Sequence, residues 1–286
     1  MSVVIPAYNN DAYIRKTLES VLAQTYPSIE LIVADHSSSD RTLEEVSRFT
    51  SDPRVTVLTT PGGGGALRNW NRVSSAATGK YVKLVCGDDL LRSDIVARQV
   101  EGLEANPSAS LAASQRSIVD ANDKAIVRAR GLAGLHGLVP GKEAVRRTVR
   151  AGANIFGEPA CVMIRRSALE EVGYWDSRYP YLIDEATYVR VLLTGDLFAL
   201  AEPMASFRVS HTQWSVRLVK EQAEQASAFH KWLGKEHPEV VSPGDVRRGN
   251  AQARRTAQLR RLAYTLLKRR MGAAQGPGPQ KAGVAR

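Results

Sequence analysis

Short apolar runs alternate with polar, helix-forming segments through about the first 90 residues of the chain. Runs rich in β-branched residues predict buried strands, and apolar positions recurring every three or four residues predict helices packed against them. Strands are predicted at 2–5 (ended by Pro6), 30–35, 55–58 and 81–86, with helices at about 10–26, 41–49 and 66–77. Because strands and helices alternate with short connections, the pattern predicts a parallel, doubly wound α/β sheet.

The pattern becomes less regular in the second part of the chain. Helices are predicted near 93–105, 141–152, 166–172 and 184–194, and strands near 109–113, 160–164 and 198–200. From residue 216 onward the spacing is helical and increasingly basic, and residues 272–286 have the low complexity of a disordered tail. We therefore divide the chain into residues 1–95, residues 96–215 and a basic extension, 216–286.

Composition excludes several classes of protein. The 286 residues are 43% hydrophobic and 24% charged, which is typical of a globular protein. No apolar run approaches the roughly 18–20 residues that span a bilayer, and the opening MSVVIPAYNN lacks the features of a secretory signal. Two cysteines can form neither a disulfide framework nor a four-cysteine zinc site. We therefore expect a reduced, cytoplasmic protein.

The net charge of +10 is concentrated in the C-terminal region. Residues 245–286 contain eleven Lys or Arg and one acidic residue, so the preceding part of the chain is neutral. Within residues 247–270, arginines surround four leucines, as in a basic amphipathic helix: Leu259, Leu262, Leu266 and Leu267.

Three interpretations of this basic segment stay open. It binds an anionic membrane surface at the inner face, it packs against the body or against another copy in a homo-oligomer, or it binds nucleic acid. No basic face interleaved with aromatic residues supports the last interpretation. We therefore expect no nucleic-acid partner.

Polar groups follow the predicted strands of the first half. In a doubly wound sheet, ligands bind beyond the carboxyl ends of the strands. Those ends carry Pro6-Ala7-Tyr8-Asn9, then Asp35, then the glycine run 62–65, then Asp88-Asp89. Adjacent carboxylates repel one another and usually need a cation or protons to lie together. The sequence therefore predicts a ligand site with several carboxylates at this edge.

The glycine run matches neither common nucleotide-binding signature. No Gly-Lys-Ser/Thr follows it, so it is not a P-loop. The dinucleotide fingerprint also fails, because its final small residue would fall on Leu67 or Arg68. A carboxylate-bound Mg²⁺ or Mn²⁺ that bridges a diphosphate explains the acidic pair better.

These residues, taken in order, resemble the family 2 glycosyltransferases, which have the GT-A fold. Besides Pro6-Ala7-Tyr8-Asn9, VADHSSSDRT (33–42) is similar to their V-x-D-x-x-S-x-D-x-T turn, and NWNRVSSAATGKYVKLVCGDDLL (69–91) to the segment with their metal-binding aspartates. The similarity continues through FGEPACVMIRRSALEEVGYWD (156–176), YLIDEATYVRVLLTGDL (181–197) and FRVSHTQWS (207–215). It covers about three-quarters of the chain, residues 2–216.

The resemblance implies a donor site for a nucleotide-diphosphate sugar, most commonly a UDP-sugar. Asp35 would accept a hydrogen bond from the base, and the backbone of Pro6, Ala7, Tyr8 and Asn9 would line the same pocket. Arg68 would lie near the diphosphate and the sugar.

The resemblance also implies a metal site. Asp88 and Asp89 would hold Mn²⁺ or Mg²⁺ and contact the ribose, and His211 would complete the metal shell or close over the diphosphate. Cys86 stands where the family often has the first aspartate of this motif.

The same resemblance implies an acceptor site with a carboxylate base. The family's base lies six residues before an arginine, and counting back from Arg190 gives Asp184. This base would deprotonate a hydroxyl acceptor in a single displacement with inversion. Glu185 is the alternative base. Glu158, Glu185 and Trp214 are candidate acceptor contacts; a buried hydrogen-bonding role is the alternative for Glu158, and packing is the alternative for Trp214. The rival hypothesis is a catalytically silent, membrane-associated scaffold that keeps the GT-A fold.

Overall fold

A mixed β-sheet forms the centre of the molecule. The computed structural model describes residues 1–209 and 221–267, with side chains described as far as residue 263. Within these residues the sheet has ten strands: β1 (Ser2–Ala7), β2 (Glu30–Asp35), β3 (Val55–Thr59), β4 (Tyr81–Leu84), β5 (Leu90–Leu91), β6 (Ala109–Val119), β7 (Ala125–Arg130), β8 (Gly137–Val139), β9 (Val162–Arg165) and β10 (Asp196–Arg208). The main order is β3-β2-β1-β4-β9-β6-β10-β5.

Helices cover the sheet, and their apolar positions face it. In α1, for example, Ile14, Leu18 and Val21 are buried at helical spacing. The helices of the described residues are α1 (Ile14–Leu22), α2 (Thr42–Ser47), α3 (Gly65–Ser75), α4 (Ile95–Ala105), α5 (Gly141–Ala151), α6 (Arg166–Glu171), α7 (Ile183–Thr194), α8 (Gln222–Glu236) and α9 (Pro243–Leu267). No helix among the described residues combines the length and the apolar composition needed to cross a membrane.

The strands predicted from the alternating pattern form the parallel part of the sheet. β1 pairs in parallel with β2 and β4, and β2 pairs in parallel with β3. Beyond β4 the sheet is mixed, because β9 runs antiparallel to both β4 and β6. The carboxyl ends of β1 and β2 meet where Ala7 pairs with Asp35.

Some predicted boundaries are wrong, for local reasons. β1 continues through Pro6, which pairs in register with Ala34 of β2. Pro6 lacks a backbone N–H, but this does not interrupt the sheet, because the pairing of β1 with β4 has already ended at Val4. The first helix begins only at Ile14. The side-chain oxygen of Asn10 accepts a hydrogen bond from the backbone N–H of Tyr8 and therefore does not cap the helix. The fourth strand ends at Leu84 rather than 86.

Longer strands in the second half were also missed. The predicted strand 109–113 extends to Val119, because its polar residues Ser114 and Arg116 are buried within the fold. β7 was not predicted, because its side chains are largely exposed and carry no apolar alternation.

The C-terminal helices pack tightly against the body. A Cβ atom at Gly152 would lie 2.4 Å from the backbone nitrogen of Ala253, and one at Gly249 would lie 2.2 Å from the carbonyl oxygen of Val149. Glycine therefore permits close contact between α5 and α9. Packing against the body is thus confirmed for this face of α9, and the predicted tail lies outside the described residues.

Candidate active site

A cavity of about 390 Å³ lies at the carboxyl ends of β1 and β4. Its wall includes Pro6 near the end of β1, Tyr8 and Asn9 just after it, and Asp88 and Asp89 after β4. The acceptor-side residues predicted from the sequence also line it: Glu158, Asp184 and Glu185. Ala7, Asp35 and Arg68 are not among its lining residues, and His211 and Trp214 lie outside the described part of the chain.

The segment after β1 is held by the turn that follows β2. The Asn9 side-chain oxygen accepts the backbone N–H of Ser39 at 2.9 Å, and the Asn9 backbone N–H donates to the Ser38 hydroxyl at 3.0 Å. Asn9 has a φ of 50°, a left-handed conformation that asparagine tolerates. Tyr8 is 52% exposed and packs beside His36, so an aromatic ring lies at the edge of the cavity.

Asp35 is only 3% exposed and serves the turn that ends β2. Its two carboxylate oxygens accept the Ser38 hydroxyl at 2.5 Å and the Ser38 backbone N–H at 3.1 Å. These bonds to a residue three positions on give Asp35 a structural role in the turn. A nucleobase could bind Asp35 only by sharing or replacing the Ser38 bonds.

The glycine run lies beside this turn and is tethered to it. His36 Nε2 lies 2.9 Å from the carbonyl oxygen of Gly63, and Arg68 donates to the carbonyl of Gly62 at 3.2 Å. Gly63, Gly64 and Gly65 all have positive φ, so the run adopts a conformation that glycine favours. Arg68 therefore supports the loop in this structure.

Asn69 joins three strand ends and was not among the predicted site residues. Its amide nitrogen donates to the carbonyls of Ala34 at 2.9 Å and Ala7 at 3.3 Å, and its amide oxygen accepts the Thr60 hydroxyl at 2.7 Å. The side chain is 2% exposed. No local signal marks such a residue, because its partners are 9 to 62 positions away.

Asp89 is buried beside Asp88 at the end of β4 and is 1% exposed. Its Oδ1 accepts the backbone N–H of Arg208 at 3.1 Å, whereas its Oδ2 is buried with no hydrogen-bond partner among the described residues. Burial, reinforced by the neighbouring Asp88 carboxylate, raises the pKa of Asp89 well above its usual range. An ionised Asp89 therefore needs a positive partner in the cavity.

The two carboxylates fit a divalent cation shared with a substrate. Mg²⁺ and Mn²⁺ favour oxygen ligands, and Mg²⁺ sites often combine one or two carboxylates with substrate phosphates. The described residues contain no group of three or more His, Cys, Asp or Glu placed to hold a metal by themselves. Burial and the adjacent aspartates raise the pKa of the Cys86 thiol well above its usual range.

Arg208 supports the acidic segment and was likewise not among the predicted site residues. Its Nε donates to the backbone carbonyl of Asp88 at 2.8 Å, and it forms an ion pair with Asp123 at 2.5 Å. Its guanidinium also lies 4.4 Å from the centre of the Tyr13 ring. Arg208 comes from the distant β10, so only the tertiary structure places it here.

Asp184 lies in the first turn of α7 and is half-buried. Its carboxylate accepts the side-chain amide of Asn154 at 2.9 Å and the backbone N–H of Glu185 at 2.8 Å. Burial, with a smaller contribution from Glu158, raises the pKa of Asp184 to about 7. A carboxylate with this pKa can accept a proton near neutral pH.

Glu185 is more deeply buried than Asp184. It is 2% exposed and accepts the Thr148 hydroxyl of α5 at 2.9 Å. Burial, together with the neighbouring Asp184, raises its pKa to about 8. Glu185 is thus mainly protonated at neutral pH and joins α7 to α5.

Glu158 is paired with a buried arginine. Arg116 of β6, only 4% exposed, donates through Nη2 to Glu158 at 3.1 Å, and its Nε forms a second close ion-pair contact. The buried hydrogen-bonding role considered for Glu158 is therefore present, although Glu158 also lines the cavity. Arg116 itself was not identified, because an arginine in a polar strand segment gives no signal of burial.

The C-terminal helices complete the cavity wall. His230 of α8 and Thr256 and Arg260 of α9 are among the lining residues. His230 Nδ1 lies 2.9 Å from the Asn250 side-chain oxygen, and Arg260 contacts the Tyr181 hydroxyl. The extension separated in the sequence analysis therefore contributes directly to this site.

The comparison with protein-family models identifies the family. The model described as glycosyl transferase family 2 matches residues 2–173, more than half of the chain and including the segments after β1, β2 and β4. The chain belongs to glycosyl transferase family 2. This assignment confirms the resemblance found in the sequence.

Relatives of this family-2 chain match mainly over part of their length. It is 37% identical to glycosyltransferase GlyG of Streptococcus pneumoniae serotype 4 over 97 residues, 34% of this chain and 32% of that protein. It is 26% identical to an uncharacterized glycosyltransferase of Haemophilus influenzae over 238 residues, 81% of this chain and 72% of that protein. For the first three curated relatives, the matched part is about a third of their length or less.

Solved structures confirm the GT-A-like fold. S. aureus TarS 1-349 in complex with UDP-GlcNAc has a TM-score of 0.69 and 16% identity, covering 93% of this chain and 75% of TarS 1-349. The mannosyltransferase PcManGT from Pyrobaculum calidifontis, in complex with GDP-Man and Mn²⁺, has a TM-score of 0.62 and 18% identity, covering 93% of this chain and 74% of PcManGT.

Proposed function

We propose that this family-2 chain transfers a sugar from a nucleotide-diphosphate sugar to a hydroxyl acceptor, with inversion and with Asp184 as the base. The observation that carries the proposal is the Asp184 carboxylate, whose pKa is about 7, in the same cavity as the Asp88-Asp89 pair. A carboxylate that exchanges a proton near neutral pH suits the deprotonation of a hydroxyl group.

Asp184 would take the proton of the acceptor hydroxyl as its oxygen attacks the anomeric carbon. The bond between that carbon and the diphosphate breaks, and the nucleoside diphosphate leaves with the bonding electron pair. Attack from the face opposite the leaving group inverts the anomeric configuration. Asn154 and the Glu185 backbone N–H would orient the carboxylate during this step.

Asp88 and Asp89 would hold Mn²⁺ or Mg²⁺, as the buried, unpartnered Oδ2 of Asp89 suggests. Such a cation supplies charge neutralisation at the diphosphate. We propose UDP as the nucleotide, supported by the complex of TarS with UDP-GlcNAc. The segment from Pro6 to Asn9 would line the donor pocket. Asp35 and Arg68 would support the neighbouring turn and glycine run from outside the cavity lining.

The test is a thermal-shift panel of UDP, GDP, dTDP and CDP, each with and without Mn²⁺. Saturation at about 100-fold above the Kd adds roughly 2.7 kcal/mol, which should raise the melting temperature by about 4–5 °C for a chain of this size. We expect UDP with Mn²⁺ to give the largest increase. The GDP-Man complex of PcManGT makes GDP the main competing outcome.

Asp89→Asn should remove the Mn²⁺-dependent part of this increase, because it removes a ligand charge. The matched control is Asp52→Asn, at the amino end of β3 and remote from the cavity. Equal responses of both variants would contradict the metal site. Nucleotide binding without release of UDP from any UDP-hexose, with saccharide acceptors present, would favour the scaffold hypothesis instead.

A further inference from the structure

The two faces of α9 differ sharply in composition. The face toward the body is made of small residues, with Gly249, Ala253 and Ala257 buried. The solvent face carries arginines and two large apolar side chains, Leu259 and Leu262, which are 58% and 57% exposed. The exposed arginines are Arg247, Arg248, Arg254, Arg255 and Arg261. No acidic residue follows Asp245 in the chain.

A second cavity, of about 500 Å³, extends this basic surface onto α5. One acidic residue, Glu143, lines this cavity. Four arginines line it as well: Arg146, Arg147, Arg150 and Arg248.

The carboxylates around this cavity do not balance the four guanidinium groups. Asp245, 2% exposed, pairs with Arg146 at 3.0 Å and Arg150 at 2.7 Å, and Glu143 pairs with Arg147 at 3.0 Å. Arg248 has no ion pair within residues 1–209 and 221–267. The cavity therefore keeps a positive charge and suits an anionic group such as a phosphate.

We infer that the solvent face of α9 and the arginine-lined cavity form a docking surface for an anionic phospholipid bilayer. Headgroup phosphates pair with the arginines, and Leu259 and Leu262 enter the boundary between headgroups and acyl chains. A helix with arginine and leucine on one exposed face has the composition of an interfacial segment.

The leucines favour a membrane over nucleic acid as the partner. On a nucleic-acid surface, two leucine side chains would lie against phosphates or water and gain nothing from burial. No aromatic residue lies between Pro243 and Ala263 to stack on bases.

Docking through α9 would orient the whole molecule. The opposite side of the same helix contributes Thr256 and Arg260 to the 390 Å³ cavity. A helix with its side chains is about 10–12 Å across, so this cavity wall would lie about that far from the headgroups.

The experiment is vesicle co-sedimentation of the full chain with phosphatidylcholine alone and with phosphatidylcholine and phosphatidylglycerol at 7:3, in 0.1 M NaCl. We expect binding to the anionic vesicles only. Two variants separate the contributions, Leu259→Ser with Leu262→Ser, and Arg248→Gln with Arg254→Gln and Arg255→Gln. Each should raise the lipid concentration for half-maximal binding at least about tenfold. Each arginine near an anionic surface contributes about fivefold, and burial of each leucine side chain contributes about tenfold or more.

The matched control changes the same residue types on α2, remote from the docking surface: Leu43→Ser with Arg41→Gln and Arg48→Gln. Leu43 is 40% exposed, so the control also removes an exposed leucine. Its vesicle binding should equal that of the unchanged protein. Melting temperatures within about 2 °C of the unchanged protein would show that all variants remain folded.

Three outcomes would overturn the inference. In the first, both surface variants bind anionic vesicles as well as the unchanged protein does, which would mean that another part of the chain binds the membrane. Neutral vesicles could bind equally well. A 20-nucleotide RNA could bind more tightly than the vesicles and be insensitive to the leucine changes, which would identify a nucleic-acid surface.

Discussion

The side of the cavity proposed to bind the donor (the donor side) and the side proposed to bind the acceptor (the acceptor side) are stabilised in different ways. On the donor side, at the ends of β1 and β2, Asn9 and Asp35 are held by backbone N–H groups and hydroxyls of one turn, residues 38–39. On the acceptor side, Asp184 is half-buried and Glu185 is buried, and their pKa values are raised to about 7 and about 8. The donor side is thus a preformed frame, whereas the acceptor side holds groups that exchange protons near neutral pH.

Asp184→Asn should have the largest effect, because an amide cannot accept the acceptor's proton. We expect UDP release from the preferred UDP-sugar to fall about 10²–10⁴-fold, with the nucleotide Kd changed less than threefold. In the unchanged protein the rate should fall as pH decreases below about 7, because protonation inactivates the base.

The matched control for this change is Asp176→Asn, an aspartate outside the cavity lining. It should leave the rate within about twofold. A rate for Asp184→Asn within fivefold of the unchanged protein would mean that another group is the base.

Glu185→Gln tests the buried acceptor-side carboxylate through stability. Its pKa is raised from 4.5 to about 8 in the folded protein, so the stability gained from its protonated form is present below about pH 4.5 and lost as pH rises through about 8. A neutral glutamine avoids that loss. We expect Glu185→Gln to be more stable than the unchanged protein at pH 9 by up to about 5 kcal/mol, because a pKa raised from 4.5 to about 8 corresponds to that free energy, and to differ by less than about 1 kcal/mol at pH 5, in urea denaturation.

Glu171→Gln, at an exposed position near the end of α6, is the control for this measurement. It should show no comparable dependence on pH. If Glu185→Gln tracked the unchanged protein at both pH values, Glu185 would not be protonated in the fold.

Ser38→Ala should have the smallest effect and tests the donor side. It removes the hydroxyl that donates to Asp35 at 2.5 Å, which we expect to cost about 1 kcal/mol of unfolding free energy. If Asp35 binds the nucleobase, freeing one of its oxygens should leave UDP affinity unchanged or higher. A loss of UDP affinity greater than tenfold would show that the Ser38 turn itself forms the base pocket.

The local chemistry of the strand ends could be predicted because it depends on short-range patterns. β-branched runs ending in Asp35 or Asp88-Asp89 identify buried strands and the polar edge that follows them. The position of Asp184 on the first turn of a helix followed from the sequence in the same way, and the structure confirms that placement.

The partners that hold these residues could not be predicted, because they are distant in sequence. Asn69 reaches Ala7 across 62 positions, and Arg208 reaches Asp88 across 120. Arg116 and Glu158 become a pair only when β6 is placed beneath the segment preceding β9. The sequence alone does not reveal whether a polar side chain is buried, or which hydrogen-bond partner offsets the cost of burying it.

The sequence by itself determined the α/β alternation, the edge that carries the carboxylates, and the restriction of the excess charge to residues 245–286. These follow from residue spacing and composition, which act along the chain. Only the tertiary structure decided that α8 and α9 line the cavity, that α9 leaves its arginines and leucines to solvent, and that Asp184 has a pKa near 7. Burial and contact are properties of surfaces brought together by folding, and no local pattern specifies them.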